Sequence, residues 1–361
     1  MTTTTKFFAA VTAALLICTG CKSKPTYTSG PDYMILDEVV FVDKFPHSFE
    51  LSRPTSVSVE ILGGLDFEIH DSLMIFATSK EDPMWEFYKL PEFKYLGGYL
   101  RKGNGPTEFL QSRWIYKTLF SERHGQFFAS FYDFDKGRFL DMDISETLDN
   151  GHLSISPKRA VPPQLERLIP LDDDTFFCKE LSRTKLTRQN RYLLKGDSRS
   201  ETDVLAKLNE AYVSPDQDHN ILATLTGYNH RSGRIIEAPV MLNYINIYSL
   251  DGSFGKTICM DEKLDNIRDI ELLERNKRLG TFGSLRVYDD MFGVMSRDNE
   301  DGRRSTIWFF DMDGAPLAEF KLDKTTTTFD IDFNEGTLYT HSYESEDFFK
   351  YDIREYLGAL K

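Results

Sequence analysis

The stretch from Leu96 to Phe109 reads L-G-G-Y-L-R-K-G-N-G-P-T-E-F, a strand-like run that breaks into a glycine-rich turn and restarts at an aromatic residue. Gly103 and Gly105 give access to backbone angles that are closed to other residues. Pro106 holds its own φ at about −65° and biases Gly105 away from the helical region. We therefore predict a sharp turn, and we expect Gly105→Val to lower the melting temperature because the new side chain would stand at positive φ.

Two residues after this turn give it a structural interpretation. Glu108 can accept backbone N–H groups of the turn or face Arg101, and Phe109 can fill a seam between neighbouring sheets. The pattern Gly103-x-Gly105-x-x-Glu108 begins like a dinucleotide-binding fingerprint, but a carboxylate replaces the third glycine and would repel a pyrophosphate. The stretch thus predicts a structural element, with a ligand-contacting loop as the alternative.

Outside this turn, one pattern recurs along the chain: an acidic or glycine turn is followed by short strands rich in aromatic and β-branched residues. The turns lie at positions 71, 124, 172, 233, 289 and 335. Their spacing is close to the roughly 40 to 50 residues of a four-stranded propeller blade. Helical spacing within 200–213 and 262–279 predicts short helices inserted between blades.

These repeats predict an all-β fold, a six-bladed β-propeller with four-stranded antiparallel blades over residues 37–361. The last unit is one strand short, and the segment from Val57 to Leu62 can supply that strand and close the ring. Two β-sandwich domains are the alternative. They are disfavoured because no linker rich in Pro, Gly and Ser divides residues 37–361.

The N-terminal residues 1–20 predict a lipoprotein signal peptide. Lys6 supplies a positive start, and the apolar run 7–18 is shorter than the roughly 20 residues that a membrane-spanning helix needs. The sequence Ile-Cys-Thr-Gly-Cys at 17–21 resembles a bacterial lipoprotein box, which implies that Cys21 is lipidated and becomes the mature N-terminus. The alternative is a soluble secreted protein cut near Gly20.

The residues after Cys21 bear on location. Residues 21–36 are polar and contain prolines and a glycine, which predicts a tether from the lipidated cysteine. No acidic residues directly follow Cys21, and such residues resemble a surface-export tag in some outer-membrane lipoproteins. We therefore expect an outer-membrane lipoprotein of the cell envelope that faces the periplasm.

Charge excludes one class of partner. The 361 residues carry 57 acidic and 43 basic side chains, for a formal net charge of −14. A negative mean field repels phosphate backbones, so we expect no binding of nucleic acid. The partners expected instead are the membrane, through the N-terminal lipid, and a protein, peptide or glycan of the envelope. We expect the chain to be a monomer.

A family resemblance adds to this interpretation. The residues Gly103, Gly105, Pro106, Glu108 and Phe109 form a G-x-G-P-x-E-F pattern that resembles a signature of the TolB-like six-bladed β-propeller lipoproteins. The lipoprotein box and the six repeats extend this resemblance over most of the chain. It implies a propeller whose class is associated with the binding of proteins or ligands.

Candidate binding residues are few. The segment Tyr228, Asn229, His230 and Arg231 combines aromatic, imidazole and guanidinium groups in a predicted loop, which suits ligand recognition. A solvated insertion without ligand contact is the alternative. The aspartates of 133–143 resemble a calcium loop only superficially, because Gly137 stands where a ligand is needed. We interpret these aspartates, and those of 172–174, as turn residues.

Catalytic chemistry has no linear motif in this sequence. It contains no serine elbow and no HExxH pattern. Cys178 and Cys259 are expected to be buried free thiols, and a disulfide between them in an oxidising compartment is the alternative. We predict a binding module that needs no cofactor and no metal, and no catalysis is expected. The alternative is a metal-assisted hydrolase or lactonase-like propeller whose site is assembled in the central channel from one residue per blade.

Overall fold

The computed structural model of the chain describes residues 26–58, 63–111, 115–297 and 305–361. Its strands, in chain order, are β1 (Glu38–Phe41), β2 (His47–Leu51), β3 (Thr55–Ser56), β4 (Gly64–His70), β5 (Leu73–Thr78), β6 (Trp85–Lys89), β7 (Lys94–Tyr99), β8 (Leu119–Arg123), β9 (Gln126–Asp133), β10 (Arg138–Asp143), β11 (Ile155–Ala160), β12 (Arg167–Pro170), β13 (Thr175–Arg183), β14 (Thr187–Lys195), β15 (Ser198–Ser200), β16 (Thr224–Asn229), β17 (Arg234–Pro239), β18 (Tyr244–Ser249), β19 (Gly255–Cys259), β20 (Phe282–Val287), β21 (Met291–Arg297), β22 (Ser305–Asp311), β23 (Pro316–Leu322), β24 (Thr328–Asp332), β25 (Thr337–His341) and β26 (Phe348–Asp352).

These strands form six sheets arranged as the blades of a propeller, as the repeats predict. Blades 1 to 5 are the successive antiparallel groups β4–β7, β8–β11, β12–β15, β16–β19 and β20–β23, and blade 6 consists of β24–β26 with β3. Each of the six predicted turns lies between the first two strands of a blade. The turn chemistry of Asp and Gly therefore locates the start of every blade.

The N-terminal segment passes along the outer edges of three blades. Strand β1 pairs in parallel with β19 of blade 4, and β2 pairs in parallel with β23 of blade 5. Strand β3 pairs antiparallel with β26, and the Val57 N–H donates to the Phe348 carbonyl at 2.8 Å. An N-terminal strand thus completes blade 6 and covers its exposed edge. The pairing begins earlier than the predicted segment, of which residues 59–62 lie outside the described residues.

The predicted tether differs from the structure over residues 27–36, which contact the propeller. Met34, Ile35 and Leu36 are buried in the apolar cluster between blades 3 and 4. The Leu36 N–H donates to Thr257 Oγ1 at 2.8 Å, and Asn246 donates its amide to the Met34 carbonyl at 2.9 Å. Residues before this triplet also dock: the Tyr27 hydroxyl accepts the Leu264 N–H at 3.3 Å, and Asp32 pairs with Arg268 at 2.9 Å. The polar composition that suggested a free tether therefore belongs in part to a segment that packs on the propeller. Residues 1–25, including Cys21, lie outside the described residues.

Apolar side chains fill the seams between blades. The described residues form six buried clusters, and each joins the facing strands of two neighbouring blades. Between blades 6 and 1, for example, Phe348 packs edge-on against Phe67 with ring centroids 5.5 Å apart. Such packing holds the blades together because each strand of a blade is apolar on the face that meets its neighbour.

Three short α-helices lie in the described connections: α1 (Ile144–Asn150), α2 (Asp203–Asn209) and α3 (Ile267–Leu272). Helices α2 and α3 lie in the two segments whose spacing predicts them. Helix α1 was not predicted; Asp143 begins it by accepting the Glu146 N–H at 2.8 Å. Short 3-10 turns occupy Ile115–Lys117, His219–Leu222, Arg275–Lys277 and Arg354–Leu360. Within the described ranges, no helix is both long and apolar enough to cross a membrane.

The turn at 103–109 connects the outer strand of blade 1 to blade 2. Glu108 accepts the Gly105 N–H at 2.8 Å and pairs with Arg101 at 2.8 Å, while Phe109 is fully buried in the seam between the two blades. The backbone N–H of Gly105 holds the pKa of Glu108 below its ordinary value. This turn positions the first two blades.

The predicted reason for the effect of Gly105→Val, a positive φ at Gly105, was wrong. The glycine at positive φ is Gly103, with φ of 156°, whereas Gly105 is absent from the described positive-φ residues. A side chain at Gly105 would instead meet the Glu108 carboxylate, whose Cδ lies 3.0 Å from an added Cβ. Crowding against Glu108, rather than backbone strain, is the penalty at Gly105.

Both cysteines expected to be free are free and buried, one in blade 3 and one in blade 4. Burial raises the pKa of Cys178 and of Cys259 to about 12. Neither thiol is therefore ionised at neutral pH, and both serve as small apolar side chains of the seams.

Candidate functional site

The inner strands of all six blades surround a central cavity with a volume of about 1150 Å³. The strands that line it are β4, β8, β12, β16, β20 and β24, the first strand of each blade. A cavity of this size is large enough for a small ligand or a short segment of a polymer. We refer to it as the central cavity.

A buried ionic cluster occupies one side of the central cavity. Arg286 of blade 5 donates from Nη2 to Asp66 Oδ1 of blade 1 at 2.7 Å, and it also binds the Phe67 carbonyl. Thr328 of blade 6 donates to the same Asp66 oxygen at 2.7 Å. The cluster therefore ties three blades together at the point where the ring closes.

Asp330 completes this cluster from blade 6. Its carboxylate accepts the Ile69 N–H at 2.8 Å and the Tyr288 hydroxyl at 2.9 Å, and it lies 3.9 Å from Arg286 Nε. Burial raises the pKa of Asp330 to about 6, against the attraction of Arg286. Burial would lower the pKa of Arg286, but Asp66 and Asp330 outweigh it and hold that pKa above its ordinary value.

Arg167, the first residue of β12 in blade 3, lines the same cavity in different surroundings. Its side chain is buried, and within the described residues Nε and Nη1 have no hydrogen-bond acceptor. Burial lowers its pKa to about 10, against the attraction of Tyr116 and Glu68. Arg167 also lines a smaller neighbouring cavity of about 240 Å³ between blades 2 and 3.

A second ionic network ties blade 3 to blade 4. Glu237 pairs with Lys179 at 2.9 Å and with Arg191 at 2.8 Å, and all three side chains are buried. Lys179 also donates to Thr226 Oγ1 at 2.9 Å. Burial lowers the pKa of Lys179 to about 8, against the attraction of Glu237. Because these charges pair with one another, we interpret the network as a structural junction between blades 3 and 4.

The segment Tyr228 to Arg231 lines the central cavity. It is not a loop throughout, because Tyr228 and Asn229 end strand β16 and only His230 and Arg231 enter the turn. Asn229 donates to the carbonyls of Tyr288 and Asp289 at 2.7 and 3.0 Å, which joins blades 4 and 5.

The other three side chains of this segment form part of the cavity wall. Tyr228 and His230 meet edge to face with ring centroids 4.6 Å apart, and burial lowers the pKa of His230. Arg231 forms an exposed pair with Asp290 at 2.6 Å. Tyr228 and His230 are therefore the members of the segment best placed to meet a ligand.

The aspartates considered for calcium are spread over different partners. Asp133 pairs with Arg138 at 2.6 Å, Asp141 pairs with Arg123 at 2.7 Å, and Asp143 caps helix α1. Asp172 has a turn role and accepts the N–H groups of residues 174 and 175 at 2.9 and 2.7 Å.

The hydrolase alternative requires several metal-ligating side chains to meet in the channel. Asp66 and Asp330 do converge from blades 1 and 6, but the guanidinium of Arg286 lies between them. In the part of the chain that the structure describes, no group of three or more His, Cys, Asp or Glu side chains is placed to hold a metal ion. The guanidinium of Arg286 occupies the position that a metal cation would take beside these carboxylates.

Sequence reasoning did not single out Asp66, Arg167, Arg286 or Asp330. They lie on inner strands, which the repeat pattern largely left out because it began each unit at the turn that follows the inner strand. The one available signal was a lone charged residue within a short apolar run, as in Arg167–Pro170, R-L-I-P.

A family model supports the architecture. The family model described as TolB-like 6-blade propeller-like matches residues 64–334. Among curated proteins, none matches this sequence. The crystal structure of Chaetomium thermophilum Raptor aligns with 80% of this chain at 11% identity and a TM-score of 0.44, and the alignment spans only 27% of the Raptor chain. The family match covers most of the chain, and it shows that the protein belongs to the TolB-like six-bladed propeller family.

Proposed function

We propose that this chain is a lipid-anchored propeller of the cell envelope that binds a protein segment, a peptide or a glycan in its central cavity. The observation that carries the proposal is the cavity itself, a space of about 1150 Å³ that the inner strands of every blade line with mixed polar and aromatic side chains. Rigid scaffolds that surround one concave site are typical of ligand-binding proteins. Membership of the TolB-like family supports a binding or interaction module at this general level.

The envelope location is the second part of the proposal. It rests on the lipoprotein box that ends at Cys21, and the TolB-like family fits an envelope address. Lipidation would anchor the chain without a spanning helix. We expect Cys21→Ser to release the protein from the membrane fraction, whereas retention of the variant in the membrane pellet would refute the anchor.

Binding in the cavity can be tested by crosslinking. The mature protein, crosslinked in intact envelopes and purified, should bring down a partner whose recovery falls strongly when Tyr228 and His230 are both changed to alanine. The matched control is Tyr95→Ala, because Tyr95 is an exposed tyrosine on the outer strand of blade 1, away from the cavity. Equal recovery by the cavity variant and the control would contradict the proposed site.

A further inference from the structure

Arg167 is a buried cation that has no ion-pair partner among the described residues, although Glu68 attracts it from a greater distance. The structure describes no acidic side chain within 4 Å of its guanidinium, and two of its nitrogens, Nε and Nη1, are enclosed without an acceptor. A buried charge without a partner is costly, and proteins keep such groups where a ligand supplies the missing charge.

Two other buried arginines differ from Arg167 in having a carboxylate partner, although Arg286 Nε also lacks a hydrogen-bond acceptor. Arg191 and Arg286 are at least as buried as Arg167, and each has a carboxylate within 2.8 Å. Of these three arginines, only Arg167 lines the central cavity without a carboxylate of its own. Its position at the cavity wall allows a ligand to provide that carboxylate.

From these observations we infer that the central cavity binds a ligand that carries a single carboxylate, with Arg167 as the residue that recognises it. The inference rests on the proposed function and names the chemistry of the ligand. A carboxylate can accept two N–H groups of one guanidinium, which gives both affinity and orientation.

The charge of the surroundings favours a monoanion. Asp66, Glu68 and Asp330 also line the cavity, and the whole chain carries a net charge of −14. A phosphomonoester or a polyanion would meet this negative field with more charge than one arginine can offset. Apolar and aromatic wall residues, such as Leu225, Phe282 and Tyr228, suit the uncharged body of such a ligand.

Two sources can supply this chemistry, the C-terminal carboxylate of a peptide and the carboxylate of an acidic sugar. The test uses purified mature protein and three matched pairs of probes: sodium acetate and sodium chloride, N-acetyl-leucyl-phenylalanine and its amide, and glucuronic acid and glucose. Thermal unfolding at constant ionic strength and calorimetric titration report binding, because a ligand that binds the folded state raises its stability.

We expect acetate to raise the melting temperature of the wild type more than chloride does. One of the larger acids should bind at least about ten-fold more tightly than its neutral counterpart, because the neutral compound lacks the charged hydrogen bond. Arg167→Met should abolish both preferences. Arg167→Lys should keep part of them, since it retains the charge without the planar fork. Whichever acid binds identifies the source of the carboxylate.

Arg199→Met is the matched control, because it removes the same charge from the same blade at a half-exposed site that pairs with Glu180 outside the cavity. It should bind the probes as the wild type does. The inference is overturned if no carboxylate binds more tightly than its matched counterpart, or if Arg167→Met retains the preference. The crosslinking experiment separates this inference from the proposed function. If the partner is recovered in full with Arg167→Met but is lost when Tyr228 and His230 are changed to alanine, the proposed function stands and only the carboxylate inference fails.

Discussion

Arg286 and Arg167 lie on inner strands of the same central cavity, and their side chains are similarly buried, with 4% and 6% exposed. Arg286 meets Asp66, Asp330 and Thr328, whereas Arg167 meets no carboxylate among the described residues. The first arginine joins blades where the ring closes, and the second leaves its charge open to the cavity. Burial alone therefore does not distinguish a structural arginine from a recognition residue, whereas the presence of a carboxylate partner does.

The largest effect is expected at the structural arginine. Arg286→Met leaves the buried carboxylates of Asp66 and Asp330 without their cation, so the free energy of unfolding should fall by about 3 to 5 kcal/mol. Urea unfolding followed by tryptophan fluorescence measures this change. A loss below about 1 kcal/mol would mean that the cluster does not hold the ring together.

The two carboxylates of this cluster should contribute unequally. Asp66 accepts hydrogen bonds from Arg286, Thr328 and the backbone N–H of Tyr116, the last at 3.1 Å. Asp66→Asn should therefore cost about 2 to 3 kcal/mol at pH 7, and Asp330→Asn should cost less because Asp330 lies farther from the guanidinium. Equal costs in the same urea measurement would contradict the geometry.

Asp330 should also give a pH dependence of defined sign. Its pKa is raised from 3.8 to about 6 in the folded protein, so the folded state binds more protons than the unfolded state between these values. Its stabilising contribution is present below pH 3.8 and is lost as the pH rises through about 6. From pH 4 to pH 6.5, the melting temperature of the wild type should therefore fall relative to that of Asp330→Asn. A difference between the two melting temperatures that is constant over this range would show that the pKa is not raised.

The smallest effect is expected at the cavity mouth. Arg231 pairs with Asp290, but the side chains are 66% and 77% exposed. Exposed pairs contribute little, so Arg231→Ala should change the free energy of unfolding by no more than about 0.5 kcal/mol. If Arg231→Ala lowered the free energy of unfolding as much as Arg286→Met does, exposed and buried ion pairs would stabilise the ring equally.

Much of the fold follows from local sequence. The six turns are encoded by Asp and Gly residues that favour tight turns, and the middle strands of the blades are encoded by apolar and aromatic runs such as Tyr244–Ser249. The family signature adds a turn whose Glu108 and Phe109 make the contacts expected of them. These features can be predicted because they depend only on residues that are close together in the sequence.

The candidate site could not be found in this way. Asp66 and Arg286 are 220 residues apart, and only closure of the ring brings them together. Strand β12 has four residues and begins with a charge, so it lacks the alternation that identifies a strand. The docking of residues 34–36 was missed for a related reason, because a short apolar triplet does not reveal the distant blade 4 surface that buries it.

The free energy of unfolding of ligand-free Arg167→Met distinguishes an unpaired recognition residue from a structural arginine. If Arg167 is an unneutralised charge kept for a ligand, methionine of similar length removes a desolvation cost, and the urea midpoint should stay level or rise by the equivalent of about 1 kcal/mol. This sign is opposite to that expected for Arg286→Met. A loss of more than about 2 kcal/mol would show that Arg167 is a paired structural residue and is not kept for a ligand carboxylate.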